Sequence, residues 1–162
     1  MAIILVIEDG TGLDNSNTYA AIAEARNYAL NRGVTLSQDD DTVAAQLIKA
    51  ADYLNALECE FKSLRLKDSQ ALAFPRVNVG LPVAVKNAQM QAVIEQANGF
   101  DLMPTVNASN YVTKEKVGDL EITYADPIQA GITPVFPAIK ALLFSLLKEN
   151  CNTGGGFKTI RV

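Results

Sequence analysis

Histidine is absent from this 162-residue chain, and so is tryptophan. Without histidine the usual general base, the usual zinc ligand and the Ser-His or Cys-His nucleophile pair are all missing. The chain is therefore expected not to be an enzyme, and to need no cofactor and no metal. Basic residues are also in deficit, with 14 Lys+Arg against 18 Asp+Glu. A protein that holds nucleic acid by neutralising phosphates normally has a basic excess or stripe, and tryptophan is the best platform for stacking bases. Cysteine is scarce: Cys59 and Cys151 lie far apart with no metal-ligand spacing, which reads as two thiols in a reducing compartment. No apolar run reaches the length of a membrane span, and Met1-Ala2-Ile3 lacks the basic start of a signal peptide, so the protein is expected to be cytosolic when made. The length suits one domain, and a 49% hydrophobic composition can fill a single core.

What is present reads as a small helical protein. The apolar run Ile3-Ile4-Leu5-Val6-Ile7 predicts a strand, and Gly10 and Gly12 predict a turn after it. A short helix follows through Ile22, Ala25 and Tyr28, closed at Gly33. Asp39-Asp40-Asp41-Thr42 predicts the start of the clearest helix, because carboxylates in the first turn satisfy free amides and oppose the helix dipole. Three adjacent carboxylates do not converge on one point, so a cap rather than a cation site is expected. Val43, Leu47, Ala50, Leu54 and Leu57 then form one apolar stripe. A polar turn covers 58–68, and Pro75 requires Phe74 to be extended. Arg76 is open to two readings, contact with a phosphate or a neighbouring subunit, or a solvated or locally paired side chain. Pro82 suits the first turn of a third helix, whose Val85, Ala88, Ala92, Val93, Ile94 and Ala97 give it a broad apolar face. Such a helix should be packed on more than one side.

Between 110 and 125 the period changes to two. Gly118-Asp119 predicts a tight turn that sets Val117 opposite Leu120, Lys116 opposite Glu121 and Lys114 opposite Thr123. One face carries Lys114, Lys116 and Glu121; the other carries Val117, Leu120, Ile122 and Tyr124. Glu115 and Glu121 offset the two lysines, which favours cross-strand pairing and subunit contact over a DNA patch. A two-stranded hairpin is marginal alone, so it should lie on the helices or pair with another chain. Pro137 predicts a last helix, amphipathic through Ile139, Leu142, Leu143, Leu146 and Leu147 and ended by Asn150. Gly154-Gly155-Gly156 predicts a hinge, followed by an apolar and basic ending, Phe157, Lys158, Ile160, Arg161 and Val162, that could add to a sheet or fill a groove on a partner. The expected organisation is one domain over 1–153 with a flexible arm over 154–162.

Candidate chemistry is thin. Gly10-Thr11-Gly12 has no following Gly-Lys-Ser/Thr and completes no GxGxxG, so it is not read as a phosphate loop. Asp14, Glu24, Asp52, Glu58 and Glu60 are scattered rather than paired as glycoside or metal chemistry needs.

Three blocks and the ending carry a resemblance that spans the chain: Glu8-Asp9-Gly10-Thr11-Gly12-Leu13 with Asn15 to Ala20 and Arg32-Gly33; Gln70 to Arg76; Val112 to Asp126; and the triple glycine with its terminal Arg161-Val162. This pattern resembles a family of small tailed-phage proteins described either as head-tail connector (adaptor) proteins or as DnaT-like single-stranded-DNA-binding proteins. Ala21, where the family often has serine, and the lack of tryptophan depart from it. The adaptor description implies a mainly α fold of about four helices with a projecting β-hairpin and a flexible C-terminal tail. It implies a structural virion protein of a bacteriophage, a homo-oligomeric ring (a dodecamer) in the head-tail neck, assembled in the host cytoplasm. That ring would bind the portal protein and a tail or stopper protein and extend the DNA packaging and ejection channel without binding DNA specifically. The hairpin residues Lys114, Lys116, Val117, Leu120, Glu121, Ile122 and Tyr124 are then expected at the subunit interface, and Phe157, Lys158, Ile160, Arg161 and Val162 on the portal. The other description needs an aromatic and basic surface, for which Phe74, Arg76, Tyr111, Lys114, Lys116 and Tyr124 are the candidates.

Overall fold

The computed structural model describes residues 2–104 and 135–148, together with the backbone of residues 114–117 and 120–123. The fold is mainly helical, with helices α1 (Ile22–Leu30), α2 (Asp40–Ala56), α3 (Val83–Ala97) and α4 (Pro137–Leu143). By its internal contacts the chain divides into two compact units, one of 1–102 with 136–150 and one of 103–135 with 151–162.

In the first unit each helix begins as its sequence dictates. The Asp39 carboxylate accepts the Thr42 amide at 3.0 Å, which caps α2 and accounts for the acidic cluster. At α1 only half a capping box exists. The Glu24 carboxylate accepts the Ala21 amide at 2.8 Å, but alanine has no side-chain oxygen to return the bond. Gly33, at φ +75°, closes that helix where a Cβ would be strained. Pro137 occupies the first turn of α4.

Helix α3 is the centre of the unit and packs against α1, α2 and α4. Its Val85, Ala88, Ala92 and Val93 are fully buried, and they meet Val43, Leu47, Ala50 and Leu54 of α2 and Ile139 and Leu143 of α4 in one core. Small residues at 88 and 92 allow the close approach that a helix surrounded on several sides requires. Ala97, expected on the apolar face, is instead exposed, because α3 ends there beyond its neighbours. A buried amide ties the layers together. Gln89 Nε2 donates to the Leu47 carbonyl of α2 and to Thr18 Oγ1, each at 2.9 Å, while its Oε1 accepts the Tyr19 amide at 3.0 Å.

Two expectations need correction. The run 3–7 is not a strand: it makes one isolated bridge, Ile7 with Thr18, beside which the Asn17 amide donates to the Val6 carbonyl, while the Asn17 side chain accepts from the Val6 amide and donates to the Ile4 carbonyl and the Ile3 amide donates to the Asp41 carboxylate. Apolar, β-branched residues there lack a neighbouring strand to pair with. The last helix is also shorter than its periodicity predicts. It ends at Leu143, passes through a 3-10 turn (Phe144–Leu146), and Leu147 then bridges Phe61 in extended conformation. Pairing with 60–62 takes up backbone groups that a continued helix would have bonded internally.

In the second unit, β1 (Lys114–Val117) and β2 (Leu120–Thr123) pair antiparallel, with Lys114 opposite Thr123, Glu115 opposite Ile122, Lys116 opposite Glu121 and Val117 opposite Leu120. The joining residues 118–119, the strand side chains, Tyr124 and the ending 149–162 lie outside the described residues.

Candidate functional site

The aromatic-proline-arginine segment was a candidate surface; the structure places it inside. Phe74 is buried against Phe61 in an edge-on contact with ring centroids 4.8 Å apart, and its amide donates to the buried Tyr19 hydroxyl at 3.1 Å. Burial pushes the Tyr19 phenol well above its ordinary range. Arg76 is only 4% exposed, with its guanidinium 5.4 Å from the centroids of both Phe61 and Phe74. It donates to the Ser63 carbonyl and, at 3.3 Å, to the Glu58 carbonyl. The Glu58 carboxylate lies 3.4 Å away and is gripped from its other side by both prongs of Arg65. That two-pronged bond, ahead of the nearby charge of Arg76, holds the Glu58 carboxyl below its ordinary range. Phe74 and Arg76 are therefore unavailable to stack on a base or contact a phosphate, and of the two readings of Arg76 the structure shows the locally paired one. Of the other candidates, Lys114 and Lys116 have only their backbone described, while Tyr111, Tyr124, Phe157, Lys158, Ile160, Arg161 and Val162 lie outside the described residues.

The glycine turn is also occupied, by the protein's own carboxylate. Buried Glu8 accepts the amides of Gly10 (3.0 Å), Gly12 (2.9 Å) and Leu13 (2.9 Å) and the Ser16 hydroxyl (2.9 Å). A cradle of this kind suits an anion, and here it is filled from within. Gly12, at φ +74° and with Gln70 Oε1 3.3 Å from where a Cβ would stand, is required for the approach. The sequence signal was a glutamate two residues before a Gly-x-Gly, and its partner Ser16 is not apparent from spacing alone.

Two paired segments and the end of α4 carry three cations and an exposed aromatic. The segments 58–62 and 144–148 run antiparallel: the Lys62 amide donates to the Leu146 carbonyl at 2.8 Å and the Lys148 amide to the Glu60 carbonyl at 2.7 Å. This pairing sets Lys62, whose ammonium donates to the Ser145 carbonyl at 3.1 Å, beside Lys148, whose ammonium donates to the Cys59 carbonyl at 3.4 Å. Lys140 reaches the Glu60 carboxylate at 3.8 Å. Phe144, on the same segment, is 79% exposed. A shallow recess of about 50 Å³, lined by Lys62, Phe74, Val79, Ser145 and Leu146, opens beside them. Sequence reading missed this site because Lys62 and Lys148 are distant in the chain and Phe144 appears to belong to a continuing helix. Among the described residues no group of His, Cys, Asp and Glu side chains could hold a metal ion, and no helix is long and apolar enough to cross a membrane.

Residues 3–162 match the family model described as "Putative DnaT-like ssDNA binding protein". No curated protein and no solved structure matches.

Proposed function

We propose, from the chain's membership of the family described as "Putative DnaT-like ssDNA binding protein", that it binds single-stranded DNA through Lys62, Lys140, Phe144 and Lys148. The observation that carries the reading is the exposed Phe144 ring on the segment that carries Lys148 and pairs with the segment of Lys62, one turn after Lys140 at the end of α4. An exposed aromatic offers a sequence-tolerant stacking platform, and ammonium groups flanking it can follow a phosphate backbone. Each of these lysines is held by a carbonyl or a single carboxylate, so its charge remains open to a phosphate on the solvent side. With a net charge of −4 the protein binds modestly and with strong dependence on salt. Titration of a labelled oligothymidine at two salt concentrations tests it, with Phe144→Ala and Lys62→Glu as the informative variants.

A second reading is favoured by the acidic balance and by the burial of Phe74 and Arg76, which removes two of the residues a DNA surface was expected to use. In it the protein is a virion head-tail adaptor: a ring, of twelve copies, in the neck beneath the portal, joined laterally through the hairpin (Lys114, Lys116, Val117, Leu120, Glu121, Ile122, Tyr124). Its ending (Phe157, Lys158, Ile160, Arg161, Val162) would grip the portal. An acidic ring lets DNA slide without sticking. Electron microscopy of the protein mixed with the portal protein of the same genome tests this reading. A collar of added density supports it, and two unassociated species, or normal attachment after removal of 154–162, count against it.

A further inference from the structure

The recess lined by Lys62, Phe74, Val79, Ser145 and Leu146 is built from backbone that is hydrogen-bonded on every side. The Lys62 amide donates to the Leu146 carbonyl at 2.8 Å, and the Lys62 ammonium donates to the Ser145 carbonyl at 3.1 Å, which draws its methylene stem across to the paired segment. Val79 is carried on a tight turn. There the Arg76 amide donates to the Gly80 carbonyl at 3.1 Å, and the amides of Val79 and Gly80 return to the Arg76 carbonyl at 3.1 and 2.8 Å. Asn78 and Gly80 make that turn possible with φ of +60° and +66°. Phe74, fixed edge-on against Phe61 and fully buried, is the most deeply set of the lining residues. A recess already shaped in this way costs an occupant little ordering.

Its chemistry is of two kinds. Phe74, Val79 and Leu146 offer water few hydrogen bonds, so an apolar group displaces it favourably. The Lys62 ammonium has three donors and gives one to Ser145, which leaves donors for an anion at the same place. The fitting occupant therefore joins a small apolar group to a nearby negative charge. A thymidine in single-stranded DNA does so: its base carries a 5-methyl group that no other standard base has, and its phosphates lie within a lysine's reach. Size agrees with this choice. The recess holds about 50 Å³, and a sphere the size of water needs about 10–15 Å³, so a methyl and the ring edge behind it enter while a whole base does not.

We infer that this recess seats the 5-methyl group of a thymine, so that the protein favours thymidine-rich single strands and discriminates against uracil. The inference rests on the DNA reading above and names the base which that surface prefers. Burial of one methyl group corresponds to about fourfold in affinity for each thymine seated.

Fluorescence anisotropy of the full chain with labelled oligothymidine and with oligodeoxyuridine of equal length tests it, since the two differ only in the methyl group. Wild type should bind oligothymidine at least about fourfold more tightly. Val79→Phe, which fills the recess from an exposed position, should bring the ratio close to one. Phe144→Ala should weaken both oligomers and keep the ratio, which separates a seated methyl from stronger stacking of a methylated base. Melting verifies the fold, and Val79→Leu replaces Val79→Phe with the same outcome if the larger ring is not tolerated. Equal affinity of wild type for the two oligomers, a preference that survives filling the recess, or one that disappears in Phe144→Ala would overturn the inference and leave DNA binding standing. Absence of binding to both would overturn the DNA reading and this inference with it.

Discussion

The Glu58 carboxylate stands 3.4 Å from the buried Arg76 guanidinium while holding Arg65 in a two-pronged bond, so one acidic side chain anchors both arginines. Glu58→Ala should cost on the order of 2 kcal/mol in urea unfolding, because it strips a partner from a guanidinium that solvent cannot reach. Arg65→Ala should cost less, since Arg65 is itself partly solvated. Equal effects from the two substitutions would show that Arg76 does not depend on Glu58.

The same carboxylate predicts an acid response. Its folded-state value lies below the ordinary 4.5, so its contribution is present above that pH and is lost as pH falls through the folded value. Wild type should therefore lose stability relative to Glu58→Gln as pH drops below about 4.5, with the difference vanishing once both states are protonated. Melting temperatures of the two proteins from pH 7 down to pH 3 provide the comparison, and parallel curves would refute it.

Glu8 makes a separate claim. Glu8→Ala leaves three amides and one hydroxyl without their common acceptor, and about 3 kcal/mol of stability should go with it. Glu8→Gln keeps the shape but turns a donor toward donors, so it should recover little. A loss under 1 kcal/mol for Glu8→Ala would mean that water replaces the carboxylate at no cost.

Several features are legible from sequence for plain physical reasons. Asp39 with Thr42 gives the cap of α2, the four-and-three spacing of Val43 to Leu54 gives its buried stripe, and Pro137 gives the start of α4. What is hidden depends on partners distant in the chain. The leucines at 142, 143, 146 and 147 keep helical spacing past the true end of α4, because Leu147 must bridge Phe61. Phe74 and Arg76 look like a surface motif until Phe61, Glu58 and Ser63 close over them, and none of those contacts is local. Glu8 fell within a recognised block, yet its role depends on backbone amides that carry no sequence signature.

On the DNA surface, Phe144→Ala should weaken oligothymidine binding about tenfold, the amount expected for losing one stacked base. Lys62→Glu and Lys148→Glu should each lower the slope of log affinity against log salt by about 0.7, one phosphate contact apiece. Lys86→Glu, on α3 and not part of the proposed surface, should leave both quantities unchanged.

The central claim is most directly tested by fluorescence anisotropy of a dye-labelled oligothymidine titrated with the wild-type protein at low and physiological salt. The account predicts saturable binding that weakens steeply with salt and is lost in the Phe144→Ala, Lys62→Glu double variant while its melting temperature is retained. No change in anisotropy at low salt, or binding equal in wild type and double variant, would contradict it.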